Sequence, residues 1–203
     1  MTKRWRADRR KDHYYKKAKA ENYRSRASYK LKQIDYRFDL IQPGDIIVDL
    51  GASPGGWSQV AVELGGPESK VFSLDIDRMT PMEGVTFIRG DIKDDVTVRR
   101  LLDMIPEGAN VVISDMSPDI SGNYSYDHAK SIELCEYALA FAKKILRDGG
   151  NFCVKMFYGD MSKVFVKMVE RSFEEAHVHH PKASRPASSE VYVVGLEFFS
   201  ERD

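Results

Sequence analysis

The sequence predicts an α/β fold: a doubly wound sheet of about seven mostly parallel strands with helices on both faces. Two observations lead there. Short apolar runs alternate with segments of helical period along most of the 203 residues, which is the rhythm of repeated βαβ units. The first run feeds a glycine-rich turn, and three later runs end on Asp75, Asp91 and Asp115. Those acids fall at the carboxyl edge, where open α/β sheets bind ligands.

Composition narrows the class. Hydrophobic residues make up 42% and charged residues 31% of the chain, a globular balance. No apolar run reaches the length of a membrane span and no signal-peptide pattern opens the chain, so a cytoplasmic protein without a membrane partner is expected. Cys135 and Cys153 have neither metal-ligand nor disulfide-framework spacing, and both read as buried thiols in a reducing compartment. The zero net charge conceals an asymmetry: residues 1–32 hold 13 Lys/Arg against 3 Asp/Glu, and the rest hold 18 against 28. A basic arm on an acidic body suits a polyanionic partner, although basic termini are also often solvated tails.

In chain order, residues 1–24 interleave basic residues with Trp5, Tyr14, Tyr15 and Tyr23. They read as a partly ordered, RNA-contacting arm, with a helix docked on its own domain as the competing reading. The domain proper is expected over residues 25–203. Arg24–Ile34 has helical spacing, with Lys30 at the edge of the buried face. Ile46–Leu50 is the first strand. It leads into Asp49-Leu-Gly-Ala-Ser-Pro-Gly-Gly-Trp57, followed by a helix that stops at Gly65-Gly66-Pro67. This turn fits neither the dinucleotide fingerprint nor a phosphate-binding P-loop. An acid entering a G-x-x-x-G turn is the S-adenosylmethionine (SAM) pattern, and a plain glycine turn closing a βα unit reads equally well.

Val71–Asp75 is the second strand, and Asp75 stands where βαβ sites place an acid for ribose hydroxyls. Val85–Asp91 is the third. Asp91 suits an adenine amino group or the cap of a helix over Ile92–Met104. Asn110–Asp115 is the fourth, and the sharp Met-Ser-Pro-Asp turn after it has the character of a catalytic loop. A long helix covers Asp127–Arg147, and the fifth strand, Asn151–Phe157, carries Lys155 inside an apolar run. A lysine there needs a partner, because its ammonium is almost never buried alone. Ser162–Ser172 is a helix, Glu175–His180 a strand, Pro181–Ser189 a polar loop, and Glu190–Phe199 the last strand, beginning on an acid. His177, His179 and His180 lack an evident third partner and read as surface histidines, so no metal is expected.

Lys30, Asp115, Lys155 and Glu190 are each unexpected where they stand, and together they carry a resemblance. The stretches Ser25-Arg-Ala-Ser-Tyr-Lys-Leu31, Asp49–Gln59, Ser114–Gly122, Val154–Phe157 and Ser184–Tyr192 resemble the FtsJ/RrmJ-type ribose 2′-O-methyltransferases over nearly the whole chain. Ser53 and Ser117 depart from the alanines more usual in bacterial members. The resemblance implies a SAM-dependent methyltransferase (Rossmann-like) fold with an antiparallel last strand. It implies a catalytic tetrad of Lys30, Asp115, Lys155 and Glu190, and SAM contacts at Gly55, Trp57, Asp75, Asp91 and Asp115. Large-subunit ribosomal RNA, or the assembling large subunit, is the implied substrate, with a uridine as the target and no DNA partner. Anticodon loops of transfer RNA are the runner-up.

The chemistry is consistent with these residues. A ribose hydroxyl is a poor acid, so methylating it calls for a base or a strong positive field. A lysine pKa of about 10.4 falls on desolvation or beside another cation. Lys155 is then either the base or a protonated steering group, with the two acids orienting the lysines. Amino-group methylation would want an aromatic after a proline-rich turn, and C5 methylation a Pro-Cys nucleophile; both are absent from the sequence. A non-catalytic RNA-binding assembly factor is the alternative from another class.

Overall fold

The structure, a computed structural model, describes residues 12–185 and 188–200. Its sheet has seven strands in the order β3-β2-β1-β4-β5-β7-β6. These are β1 Ile46–Leu50, β2 Lys70–Asp75, β3 Val85–Arg89, β4 Ala109–Ser114, β5 Leu146–Phe157, β6 Phe173–His179 and β7 Glu190–Phe198. Strand β1 pairs in parallel with β2 and β4, β2 with β3 and β4 with β5, whereas β7 runs antiparallel to both its neighbours, β5 and β6. The helices are α1 His13–Ala20, α2 Ser28–Phe38, α3 Gly56–Gly65, α4 Asp95–Asp103, α5 Tyr124–Ile145 and α6 Ser162–Glu170. Among the described residues no helix is long and apolar enough to cross a membrane.

Strand alternation divides the core in two. Val48, Val112, Phe152, Val154 and Val193 join one cluster with Ile132, Leu139 and Ala142 of α5 and Phe165 of α6. Ile47, Val111, Ile113, Cys153, Tyr192 and Val194 join the other with Leu31 and Ile34 of α2 and Trp57 and Val60 of α3. Because side chains alternate with period two, Asp49, Lys155 and Glu190 share the face of Ile47, Cys153 and Tyr192. The face covered by α2 and α3 is therefore the one that carries the unusual polar residues.

Element boundaries differ from those expected where capping chemistry overrides periodicity. Asp94, and not Asp91, caps α4, accepting from the amides of Val96 and Thr97. Asn123 caps α5, which starts three residues before its expected first residue, and β5 begins at Leu146. Gly149 and Gly150, which lie just past the expected end of the preceding helix, sit in a register irregularity inside β5. Helix α1 docks on the domain: Ala18 is buried, and the Tyr14 and Tyr23 rings lie 5.4 and 5.6 Å from Tyr29. The docked-helix reading thus holds for this part of the arm, while residues 1–11, Trp5 among them, lie outside the described residues.

Candidate active site

A cleft of about 580 Å³ opens along the carboxyl ends of β1, β2, β3 and β4, lined among others by Gly51, Asp75, Asp91, Asp115, Met116 and Tyr126. Gly51 has φ +75°, and its amide donates to the Leu74 carbonyl at 2.8 Å. A β-carbon there would stand 2.4 Å from Met116 Cγ, so glycine lets the loop after β4 close over the turn. Asp75 takes the amides of Ser53 (2.8 Å) and Asp77 (2.7 Å), one on each oxygen. An ionised carboxylate has about four acceptor sites, so each oxygen keeps capacity toward the cleft. Asp91 accepts from Lys93 N at 2.9 Å and remains exposed on the wall.

Neither Gly55 nor Trp57 is among the described residues that line this cleft. Trp57 is buried beneath α2, its indole N–H donating to the Ala27 carbonyl at 2.9 Å. Gly55 and Gly56 instead leave room for the segment leading into α2: a β-carbon on Gly56 would meet Ser25 Oγ at 2.1 Å, and one on Gly55 would meet Arg24 Cδ at 3.0 Å. The Arg24 guanidinium bonds the carbonyls of Thr80 (2.5 Å) and Pro81 (2.8 Å), strapping the two loops together. Half of the glycine turn therefore seats the N-terminal segment that carries Lys30.

The four tetrad residues meet as two ion pairs on the α2–α3 face. Lys30 Nζ lies 2.6 Å from Glu190 Oε1. Lys155 Nζ donates to the Asp115 carbonyl at 2.8 Å and lies 3.4 Å from Asp115 Oδ1. Tyr192, which closes one of the matching stretches but carries no role there, joins the pairs. Its hydroxyl donates to Asp115 Oδ1 at 2.7 Å, its ring stacks on Trp57 at 5.6 Å, and Lys30 Nζ sits 5.7 Å from its ring centroid. Tyr192 is the register partner of Lys155, and Glu190 lies two positions before it, which puts all three on one face of the sheet.

Electrostatics follow the geometry. Burial pushes the Asp115 carboxyl up, but Lys155 and Lys30, with the Tyr192 hydroxyl, outweigh it and hold it below the usual carboxylate range. Glu190 behaves alike, burial being outweighed by Lys30. Asp49 goes the other way: burial, with Asp115 and Asp75 nearby, raises it to about 7 against the opposing bond from Ser58. Ser58 Oγ donates to Asp49 Oδ2 at 2.6 Å and lies 2.9 Å from Ser73 Oγ, tying α3, β1 and β2 beneath the turn. His177 and His179 flank the Phe38 ring, at 5.2 and 5.5 Å. The Cys135 thiol, raised to about 12 by burial, donates to the Lys155 carbonyl at 3.1 Å.

A seven-stranded sheet with an antiparallel β7 and an acid-lined cleft at its carboxyl edge places the chain among methyltransferases of the doubly wound class. Residues 23–198 match the FtsJ-like methyltransferase family, and the chain belongs to it. It is 50% identical over 192 residues to the ribosomal RNA large subunit methyltransferase E of Methanosarcina barkeri, covering 94% of this chain and 72% of that protein. A crystal structure from Plasmodium falciparum, described as a putative ribosomal RNA methyltransferase, superposes with TM-score 0.80 at 29% identity, covering 88% of this chain and all of the other. The MycE methyltransferase of mycinamycin biosynthesis, solved with Mg and S-adenosylhomocysteine, shares the fold at TM-score 0.56 and 17% identity, over 86% of this chain and 48% of that one.

Proposed function

We propose that this methyltransferase moves the methyl group of SAM to the ribose 2′-hydroxyl of a nucleotide, a uridine, in large-subunit ribosomal RNA. The observation that carries the reading is the meeting of Lys155–Asp115 and Lys30–Glu190 around Tyr192, with Asp115 shared between tetrad and cleft. The name of the Methanosarcina relative supports the RNA. The residues present suit SAM: Asp75 keeps acceptor capacity for ribose hydroxyls, Asp91 is an exposed acceptor for an amino group, and Asp115 places negative charge near a sulfonium. Gly51 supplies the close backbone approach, whereas the buried indole of Trp57 holds α2 in place.

When bound, SAM would supply an electrophilic methyl whose bond to sulfur breaks as a neutral thioether leaves, and the protein supplies position and charge. As an ammonium, Lys155 has three donors. One donates to the Asp115 carbonyl and the Asp115 carboxylate lies 3.4 Å away, which leaves donor capacity for the 2′-oxygen. Held so, the hydroxyl presents a lone pair along a fixed line and passes its proton to solvent as the new bond forms. Lys30, fixed by Glu190, adds positive field for the developing alkoxide or the adjoining phosphate. Tyr192 and Lys155 anchor Asp115 from two directions, so the loop that follows keeps its place over Gly51.

Transfer of labelled methyl from SAM to large-subunit ribosomal RNA tests the reading. Lys155→Ala is expected to lower the rate by about 10²-fold or more while SAM affinity stays unchanged. A mutant as fast as wild type removes Lys155 from the mechanism. A wild type that binds the RNA and transfers nothing favours an assembly factor.

A further inference from the structure

The exit of the catalytic loop is built more rigidly than a connection requires. Asp127 accepts from Ser121 N (2.9 Å), Ser121 Oγ (2.7 Å) and Gly122 N (3.1 Å), fastening the loop to the first turn of α5. On that turn, Tyr124 donates its hydroxyl to the Tyr158 carbonyl at 2.5 Å. His128 Nδ1 donates to the Phe157 carbonyl at 2.8 Å, and its Nε2 accepts from Met161 N at 3.0 Å. The Tyr124 and His128 rings lie 13° from parallel at 6.4 Å, and a β-carbon on Gly159 would strike the imidazole at 2.8 Å. Yet Tyr124 is 58% and Tyr158 50% exposed, beside exposed Ile120 and Met161. An exposed Tyr124 ring held by its hydroxyl and by His128, next to the exposed Tyr158, marks a contact surface.

Position says what they contact. Tyr158 N donates to the Ser189 carbonyl at 2.8 Å, and the preceding Phe157 is the register partner of Glu190. Tyr126, on the same turn of α5 as Tyr124, lines the cleft. The rings thus stand between the cleft and the Glu190 end of the tetrad. A nucleotide whose ribose reaches Lys155 must leave its own stack, and each neighbour then loses a stacking face. Unstacked bases regain energy on aromatic faces, whatever their identity. We propose that Tyr124 and Tyr158 form a stacking platform for the bases flanking the target nucleotide. This deepens, and rests on, the RNA reading above. The Tyr124 hydroxyl is engaged internally, so the ring face alone makes the contact.

The test uses large ribosomal subunits from cells lacking the protein, labelled SAM, and the variants Tyr124→Leu and Tyr158→Leu. Each leucine variant should raise the KM for subunits about tenfold, the size of one base stack. SAM affinity should be unchanged in both, which reports an intact fold. The loss should not depend on salt, because a stack neutralises no phosphate. Ultraviolet crosslinking followed by mass spectrometry should find a nucleotide on the Tyr124 or Tyr158 peptide. An unchanged KM for the leucine variants, or a crosslink to a ribosomal protein instead, overturns the platform and leaves the methyl-transfer reading standing. A wild type that methylates no RNA in the same assay overturns both.

Discussion

At the scale of single residues, the site is a balance of buried charges. Lys30 and Glu190 are nearly enclosed, with side-chain exposures of 10% and 13%. Removing one partner of such a pair strands the other in a poorly solvating place, at a cost of about 3–5 kcal/mol. Lys30→Met should therefore lower the unfolding free energy by about 3 kcal/mol, and adding Glu190→Leu should restore most of it in urea titrations. Asp49 gives a prediction of opposite sign. Its folded pKa, about 7, lies above the ordinary aspartate value near 3.8, so in that window the folded state holds more proton than the unfolded. Stability contributed by this group is greatest at low pH and declines as pH rises from about 4 to 7. The urea midpoint of Asp49→Asn should show a shallower decline over that range than wild type, read from unfolding curves at several pH values.

At the scale of elements, glycines and registers place the side chains. Gly51 combines a positive φ with close packing against Met116, so Gly51→Ala meets both backbone strain of about 1–2 kcal/mol and a displaced catalytic loop. Its melting temperature should fall and its SAM affinity weaken together, measured by thermal unfolding with and without SAM. The strands were legible because apolar runs and terminal acids announce them, and β1, β2 and β7 lie within a residue of their expected limits. The acids Asp75, Asp91 and Asp115 were legible for the same reason, each being thrust out where a strand ends. The resemblance implies a cofactor contact at Trp57, and the structure adds what no motif showed: its indole points inward, bonding the Ala27 carbonyl and stacking on Tyr192. Tyr192 was hidden because an aromatic in a buried strand looks like ordinary core until the partner of its hydroxyl is known. The caps Asp94 and Asn123 escaped because polar residues crowd both helix starts, and only geometry separates a cap from its neighbours.

At the scale of the whole molecule, charge is divided between a basic beginning and an acidic body. Residues 1–11 hold six Lys/Arg and one Asp, and precede the docked helix α1. Deleting them should weaken RNA binding and flatten its salt dependence. On a single strand the log–log slope should shrink by about 0.7 for every phosphate that the shortened protein no longer neutralises. SAM affinity should not change, and filter binding across a salt series checks both. The Lys30–Glu190 pair also bears on the order of events during synthesis. Glu190 is translated long after Lys30 and after Asp75, Asp91 and Asp115, so a growing chain possesses the cleft acids well before it possesses the second ion pair. The pair closes only once β7 has docked between β5 and β6, so in a chain still being made Lys30 stands without the carboxylate that holds it.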